Sequence, residues 1–203
     1  MHSNSKELNT NSQENKMKKF ELVAELSKEF FGRKLFRIRA LISFGDICKG
    51  DLGGWVEKEE CVDQSGNAWV SGDARVSGDA RVYGNARVYG NAWVYGDARV
   101  SGDAWVYGDA RVYGNALVSG DARVSGDAHH ITVSPIGSEG GYLTAFRQKD
   151  NSIVVSRGCF SGSIEEFEKA INATHGDSKY AEQYKIVISL IKSRLEAVEQ
   201  SND

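Results

Sequence analysis

Residues 66 to 131 read Gly66-Asn67-Ala68-Trp69-Val70-Ser71, then Gly72-Asp73-Ala74-Arg75-Val76-Ser77, and so on through eleven hexads of the form G-[DN]-A-x-V-[SY]. The last hexad is worn to Gly126-Asp127-Ala128-His129-His130-Ile131. A short fixed period settles architecture ahead of local propensity. Side chains alternate across an extended chain, so Ala and Val point one way, and x with Ser or Tyr the other. Glycine followed by Asn or Asp supplies a turn whose backbone takes positive φ.

Two architectures use such a repeat. A meander of hairpins joined by Gly-Asn loops would expose a wide Ala and Val face, with too little chain left to cover it. In a solenoid, three hexads make a triangular coil of 18 residues, and each coil covers the Ala and Val of the next. Burying one Val is worth roughly 1.5–3 kcal/mol, and no hexad buries its own face alone, so stability comes from stacking. Eleven hexads give about three and two-thirds coils, a prism about 17 Å long at the ~4.8 Å spacing of neighbouring strands. The repeat predicts the solenoid.

Charge is balanced along the chain: eleven positive and eleven negative side chains in residues 1–65, six Arg against seven Asp in 66–131, eight against ten in 132–203. No part is basic enough to predict nucleic-acid binding from electrostatics. Cys48, Cys61 and Cys159 are scattered, without zinc-like spacing, and fit reduced thiols in a cytoplasmic protein. No stretch approaches the ~20 apolar residues of a membrane span, and no metal or cofactor is expected.

Working outward, residues 1–16 are polar and read as a disordered tail, with no apolar segment of a signal peptide. Residues 17–65 read as an N-terminal β cap and an irregular first coil around Val62. Phe20 to Leu26 and Lys34 to Leu41 flank a turn at Phe30 to Arg33, which predicts an antiparallel pair. Phe36, Ile38 and Ala40 share one face of the second run. Such a hairpin suits one open solenoid end, where unpaired backbone groups invite association. Residues 132–203 predict a small α+β domain at the other end. Its three short strands are Ile131–Ser134, Tyr142–Gln148 and Ser152–Arg157. Ser163-Ile164-Glu165-Glu166 is a capping box opening a helix that ends at His175-Gly176, and a second helix runs from about Lys179 to Val198.

The repeats resemble those of hexapeptide-repeat proteins with a left-handed parallel β-helix, which place an aliphatic residue inward and a small residue four places later, as in Val76 with Ala80 and Val94 with Ala98. Phe31 to Leu41, Lys49 to Glu60, and the tail Gly158 to Phe167 with His175-Gly176-Asp177 are similar to uncharacterised proteins of bacteriophages and prophages that carry the same repeats. These resemblances imply a mainly β, capped left-handed β-helix of phage or prophage origin, in the cytoplasm of a host cell.

Hexapeptide-repeat acyltransferases act as trimers, with a catalytic His near a subunit interface and often a protruding loop. Here the array runs uninterrupted from Gly66 to Asp127, and its only histidines are His129 and His130, at the worn hexad. The expectation is therefore no catalytic residue, with acyl transfer the enzymatic alternative. Cys159, His175 and Asp177 could form a thiol–imidazole–carboxylate set, though a buried Cys and an interhelix turn explain them as well.

The outward positions say more. With three hexads per coil, one face carries Trp69, Arg87, Trp105 and Arg123 beside Ser71, Tyr89, Tyr107 and Ser125. A second carries Arg75, Trp93, Arg111 and His129 beside Ser77, Tyr95 and Tyr113, and a third Arg81, Arg99 and Leu117 with Tyr83. Trp and Arg one coil apart can stack as cation–π pairs worth roughly 0.5–1 kcal/mol each. Exposed, these residue types dominate binding hot spots. The expectation is a homo-oligomer, a trimer in its simplest form, assembled through these faces and used for binding. Its partner would be a host protein or a small nucleotide in an anti-defence role, and a purely structural oligomerisation module is a further alternative. Arg147, Arg157 and His175 are the polar candidates for a small-ligand site in the C-terminal domain.

Overall fold

A computed structural model describes residues 17–195 of the chain. The predicted polar tail of residues 1–16 and the end of the second predicted helix lie outside them. Three strands come first: β1 (Phe20–Phe30), β2 (Arg33–Ala40) and β3 (Leu52–Val56). Ten two-residue strands follow, β4 (Trp69–Val70) to β13 (Arg123–Val124), one for each hexad but the last. Then come β14 (His130–Ile136), β15 (Gly141–Arg147), β16 (Ile153–Arg157), β17 (Phe160–Ser163), and helices α1 (Ile164–His175) and α2 (Lys179–Leu195).

The hexads wind a three-sided parallel solenoid. Trp69 pairs with Arg87, Arg87 with Trp105 and Trp105 with Arg123 on the first face. Arg75, Trp93 and Arg111 align on the second, and Arg81, Arg99 and Leu117 on the third. Every Ala and Val from Ala68 to Val124 is at most 1% exposed, so the alternation read from the hexad is the interior of the prism. Coils are joined by parallel hydrogen bonds such as Arg87 N to Ala104 O at 2.9 Å and Tyr89 N to Val106 O at 3.0 Å. Each corner is turned by glycine with φ between +61° and +73°, as at Gly90 and Gly108. The corner amides form a further ladder: Asn67 Nδ2 donates to Asn85 Oδ1 at 3.1 Å, and Asn85 Nδ2 to Asp103 Oδ1 at 3.0 Å.

The array begins one coil before the repeat is recognisable. Trp55 and Val56 of β3 pair in parallel with Arg75 and Val76, and Val62 bridges Val82. Those partners are twenty residues apart, against eighteen between Trp69 and Arg87. The two extra residues sit between Val62 and Ala68, where Lys19, 1% exposed, fastens the wider corner. Its Nζ donates to the carbonyls of Ser65 (3.3 Å), Gly66 (3.5 Å) and Ala68 (2.8 Å).

The N-terminal hairpin forms as predicted and continues the second face. The sheet runs β1-β2-β3-β5-β8-β11, so β2 takes the edge of the first coil. A break in register between Val23 and Ser27 disrupts the β1–β2 ladder, and such a bulge bends a strand. The expected inward trio of Phe36, Ile38 and Ala40 is accordingly altered. Leu35, Ile38 and Ala40 are buried, while Phe36 is half-buried under the Lys34 ammonium.

At the other end the hexad phase stops in a 3-10 turn, Asp127–His129. The C-terminal sheet is a four-stranded antiparallel meander, β14-β15-β16-β17, rather than three strands. The added strand arises because Gly158, at φ +58°, turns the chain back so that Phe160 pairs with Arg157. Phe146 of β15 enters the solenoid core, and Gln148 bridges Ala122 of the last coil. α1 starts at the expected capping box: Ser163 Oγ accepts from Glu166 N, and Glu166 Oε2 accepts from Ser163 N at 2.8 Å. α1 and α2 pack on the meander to form a second core around Leu143, Val155, Phe167, Ile188 and Ile191. Among the described residues no helix is long and apolar enough to cross a membrane.

Candidate functional site

From Trp69 to Arg123 the outward x positions carry Trp or Arg, apart from Leu117, but the caps claim many of them. Trp69 is 2% exposed. The rings of Phe20 and Phe44 meet it edge-on at 6.2 and 5.4 Å, so its expected place on a binding surface is corrected: it is core. Arg87 above it forms an ion pair with Asp46 of the same N-terminal loop. Trp55, at the head of the second face, lies under Lys28 Nζ at 3.9 Å and Arg37 at 5.0 Å. Arg75 turns to the ring of Phe30 at 4.3 Å. The expected Trp–Arg stacking between coils is seen at Arg123, over Trp105 at 4.4 Å. At Arg75 and Arg87 the hairpin and its loop offer nearer partners than the next coil.

The aromatic side chains that remain outward on the first two faces are ordered in two rows. On the first face Tyr89 stacks on Tyr107 (centroids 5.0 Å, 7° between planes) and meets Trp105 edge-on at 5.9 Å. Burial beside Tyr107 pushes the Tyr89 hydroxyl above its ordinary pKa. Trp105 is 42% exposed. On the second face Phe31 stacks on Trp93 (5.6 Å, 6°), Trp93 on Tyr95 (4.0 Å, 27°) and Tyr95 on Tyr113 (5.2 Å, 15°), with Arg111 in register beside Trp93. The row ends in open surface, Phe31 being 79% and Tyr113 52% exposed. Phe31 lies outside the repeat, and counting along the hexads does not find it. It occupies φ +47° in the hairpin turn, a conformation uncommon for a bulky residue, and so carries its ring onto Trp93. Tight stacking fixes these side chains before any partner arrives, which lowers the entropy lost on binding.

His129 does not join the second face as expected. It sits in the 3-10 turn with Nδ1 2.8 Å from Ser125 Oγ. Burial and the nearby Arg147 guanidinium hold its imidazole below the ordinary pKa. His130 opens β14 and is buried. On the third face a broad hollow of about 670 Å³ lies against the first coil, bordered by Glu59, Asp63, Arg81, Tyr83 and Arg99. Its charges are mixed, and Arg81 is engaged by the Glu60 carbonyl at 3.1 Å.

In the C-terminal domain, Arg157 and His175 line one cleft, and Cys159 shares it. Asp177, the third member of the candidate thiol set, is not part of that lining. Arg147 is not part of it either. From the end of β15 its Nε donates to the Leu195 carbonyl of α2 at 3.0 Å, a charge-assisted hydrogen bond of the stronger kind.

Three parallel sheets closed by two caps define the class: a repeat β-solenoid protein. The family described as YdcK Beta solenoid repeat matches residues 80–96, 92–108 and 110–126. Each match opens on the alanine of a hexad, Ala80, Ala92 and Ala110, so the family's repeat is in phase with the hexads. No curated protein matches the chain.

Proposed function

We propose that this protein is a non-catalytic binding scaffold that works as a homo-oligomer, a trimer in its simplest form, through its two aromatic rows. The observation that carries this reading is the pair of pre-stacked rows, Tyr89–Tyr107 with Trp105 and Phe31–Trp93–Tyr95–Tyr113, standing beside Arg123 and Arg111. Rigid Trp, Tyr and Arg side chains are the ones that concentrate interface energy. The coils from Trp69 to Val124 open no protruding loop, which supports a non-catalytic role. The phage or prophage origin implied by the flanking segments gives the assembly a host-directed role, in which it presents its C-terminal domains to a host defence protein.

Light scattering on the full chain tests the assembly. A trimer is expected, and Trp105→Ala with Tyr113→Ala is expected to weaken it by at least tenfold. A strict monomer at all concentrations overturns the oligomer. If turnover of an acyl-CoA appears and is abolished by His129→Ala, the protein is an enzyme instead.

A further inference from the structure

The cleft of the C-terminal domain measures about 360 Å³ and is walled by Glu139, Arg157, Cys159, Phe167, His175 and Tyr184, with Phe160 completing an apolar floor. That volume and mix, mostly apolar with a few converging polar groups, is what small-molecule sites show. Its arginine is held in place. Arg157 Nε donates to the Tyr184 hydroxyl at 3.2 Å, and one terminal nitrogen, Nη2, donates to the Ile136 carbonyl at 3.3 Å. Two glycines make room for this pair. A Cβ at Gly141 would lie 2.8 Å from Arg157 Cζ, and one at Gly137, where φ is +75°, would lie 2.0 Å from the Tyr184 hydroxyl. His175 stacks on Tyr184 at 5.6 Å, and Phe167 meets both Tyr184 (5.5 Å, edge-on) and Phe160 (5.2 Å). Among the described residues no hydrogen bond engages Arg157 Nη1, the nitrogen left over.

We propose that this cleft binds a small molecule with one anionic group on a flat apolar body. The anion is taken by Arg157 Nη1 and the His175 ring, and the body lies on Phe160 and Phe167. A guanidinium oriented by two acceptors loses little freedom when an oxyanion arrives, and charge-assisted hydrogen bonds are the strong ones. Glu139 on the rim sets the charge limit. A second negative group on the ligand would meet that carboxylate, so a monocarboxylate or a single phosphate ester fits and a polyphosphate does not. The site is independent of the solenoid faces and of their oligomeric reading.

Cys159, exposed at the same cleft, reports on it, and Cys48, exposed in the N-terminal loop, is the internal reference. The full chain is alkylated with iodoacetate or with iodoacetamide, and the rate at each cysteine is followed by peptide mass spectrometry. Both reagents attack the same thiolate, so their rate ratio isolates the effect of the reagent's carboxylate. The iodoacetate preference at Cys159 is expected to exceed that at Cys48 by about fivefold, the scale of one charge interaction near a surface. It falls to the reference value in Arg157→Gln and rises in Glu139→Gln, a change at an exposed position that leaves the fold intact. Benzoate and phenyl phosphate then compete for the cleft, and the better protector of Cys159 identifies the anion. Equal ratios at the two cysteines together with no response to Glu139→Gln, or no protection by either ligand, overturn the proposal.

Discussion

The indole of Trp69 lies edge-on to the ring of Phe44 at 5.4 Å, on what the repeat marks as an outward position of the solenoid. The contact turns a surface residue into the joint between the first full coil and the N-terminal cap, with Phe20 closing the other side. Trp69 and Trp105 occupy equivalent hexad positions two coils apart, yet they have opposite roles. Trp69→Ala is expected to destabilise the fold by about 3–5 kcal/mol, the cost of emptying an aromatic core site. Trp105→Ala leaves the core intact and is expected to cost at most about 1 kcal/mol, the loss of a surface cation–π pair with Arg123. Urea denaturation of the two variants separates them, and equal losses contradict the assignment.

Lys19 carries a charge into the wide first corner. Burial pushes its ammonium down to a pKa of about 8, with Asp63 opposing the shift and Arg87 adding to it. The folded form therefore gives up its proton before the unfolded one, and between pH 8 and the ordinary lysine range the unfolded chain binds more protons. Stability from this group accordingly rises with pH through that window, and neutral pH is where its charge costs most. The difference in unfolding free energy between the wild type and Lys19→Met is expected to shift in favour of wild type from about pH 7.5 to 10. A flat difference means that Lys19 stays charged at no cost.

The corner glycines grade by two separable effects. Gly126 has an extended φ of −169° and nothing within 4 Å of an added Cβ, so Gly126→Ala is expected to be near neutral. Gly114 has φ +64° and open space, so alanine there costs only the left-handed strain, roughly 1–2 kcal/mol. At Gly90, φ is +71° and a Cβ would lie 3.0 Å from the Gly108 amide nitrogen of the next coil. Alanine there adds a clash to the strain and is expected to be the worst of the three. Melting temperatures in the order Gly126→Ala, Gly114→Ala, Gly90→Ala, highest to lowest, check this.

Three thiols differ in environment. Cys48 and Cys159 are exposed, while Cys61 is buried in the first coil, where desolvation pushes its pKa up to about 11. A thiol reagent acting on the native chain at about pH 8 is expected to label two cysteines quickly and the third only on unfolding, since the thiolate is the reactive form. Rapid labelling of all three shows that the first coil opens.

Much of the fold is legible in residues 66–131, because a six-residue period leaves only one way to hide Ala and Val on successive turns. The α1 capping box at Ser163 and Glu166 is equally local, and so is the hairpin turn near Phe31. Side-chain register along each face also follows from counting by eighteen. What counting misses is competition between segments distant in sequence. Nothing in G-N-A-W-V-S says that Phe20 and Phe44 will cover Trp69, or that Asp46 will draw Arg87 away from its neighbouring tryptophans. The irregular first coil around Val62 is legible, but its twenty-residue length is not, because Gly53-Gly54-Trp55-Val56 lacks the repeat's alanine and Lys19 arrives from far upstream to hold its corner. In the C-terminal domain, Arg157 and His175 come together only because Gly141 leaves room for Arg157 and Gly137 for the Tyr184 between them, while Arg147 is drawn to the Leu195 carbonyl of α2. The hexad by itself determined that the chain winds into a three-sided solenoid, since burial along a strand depends on residues two apart. The tertiary structure alone decided which tryptophans and arginines remain outside, since that depends on how cap segments, distant along the chain, come to lie on each face.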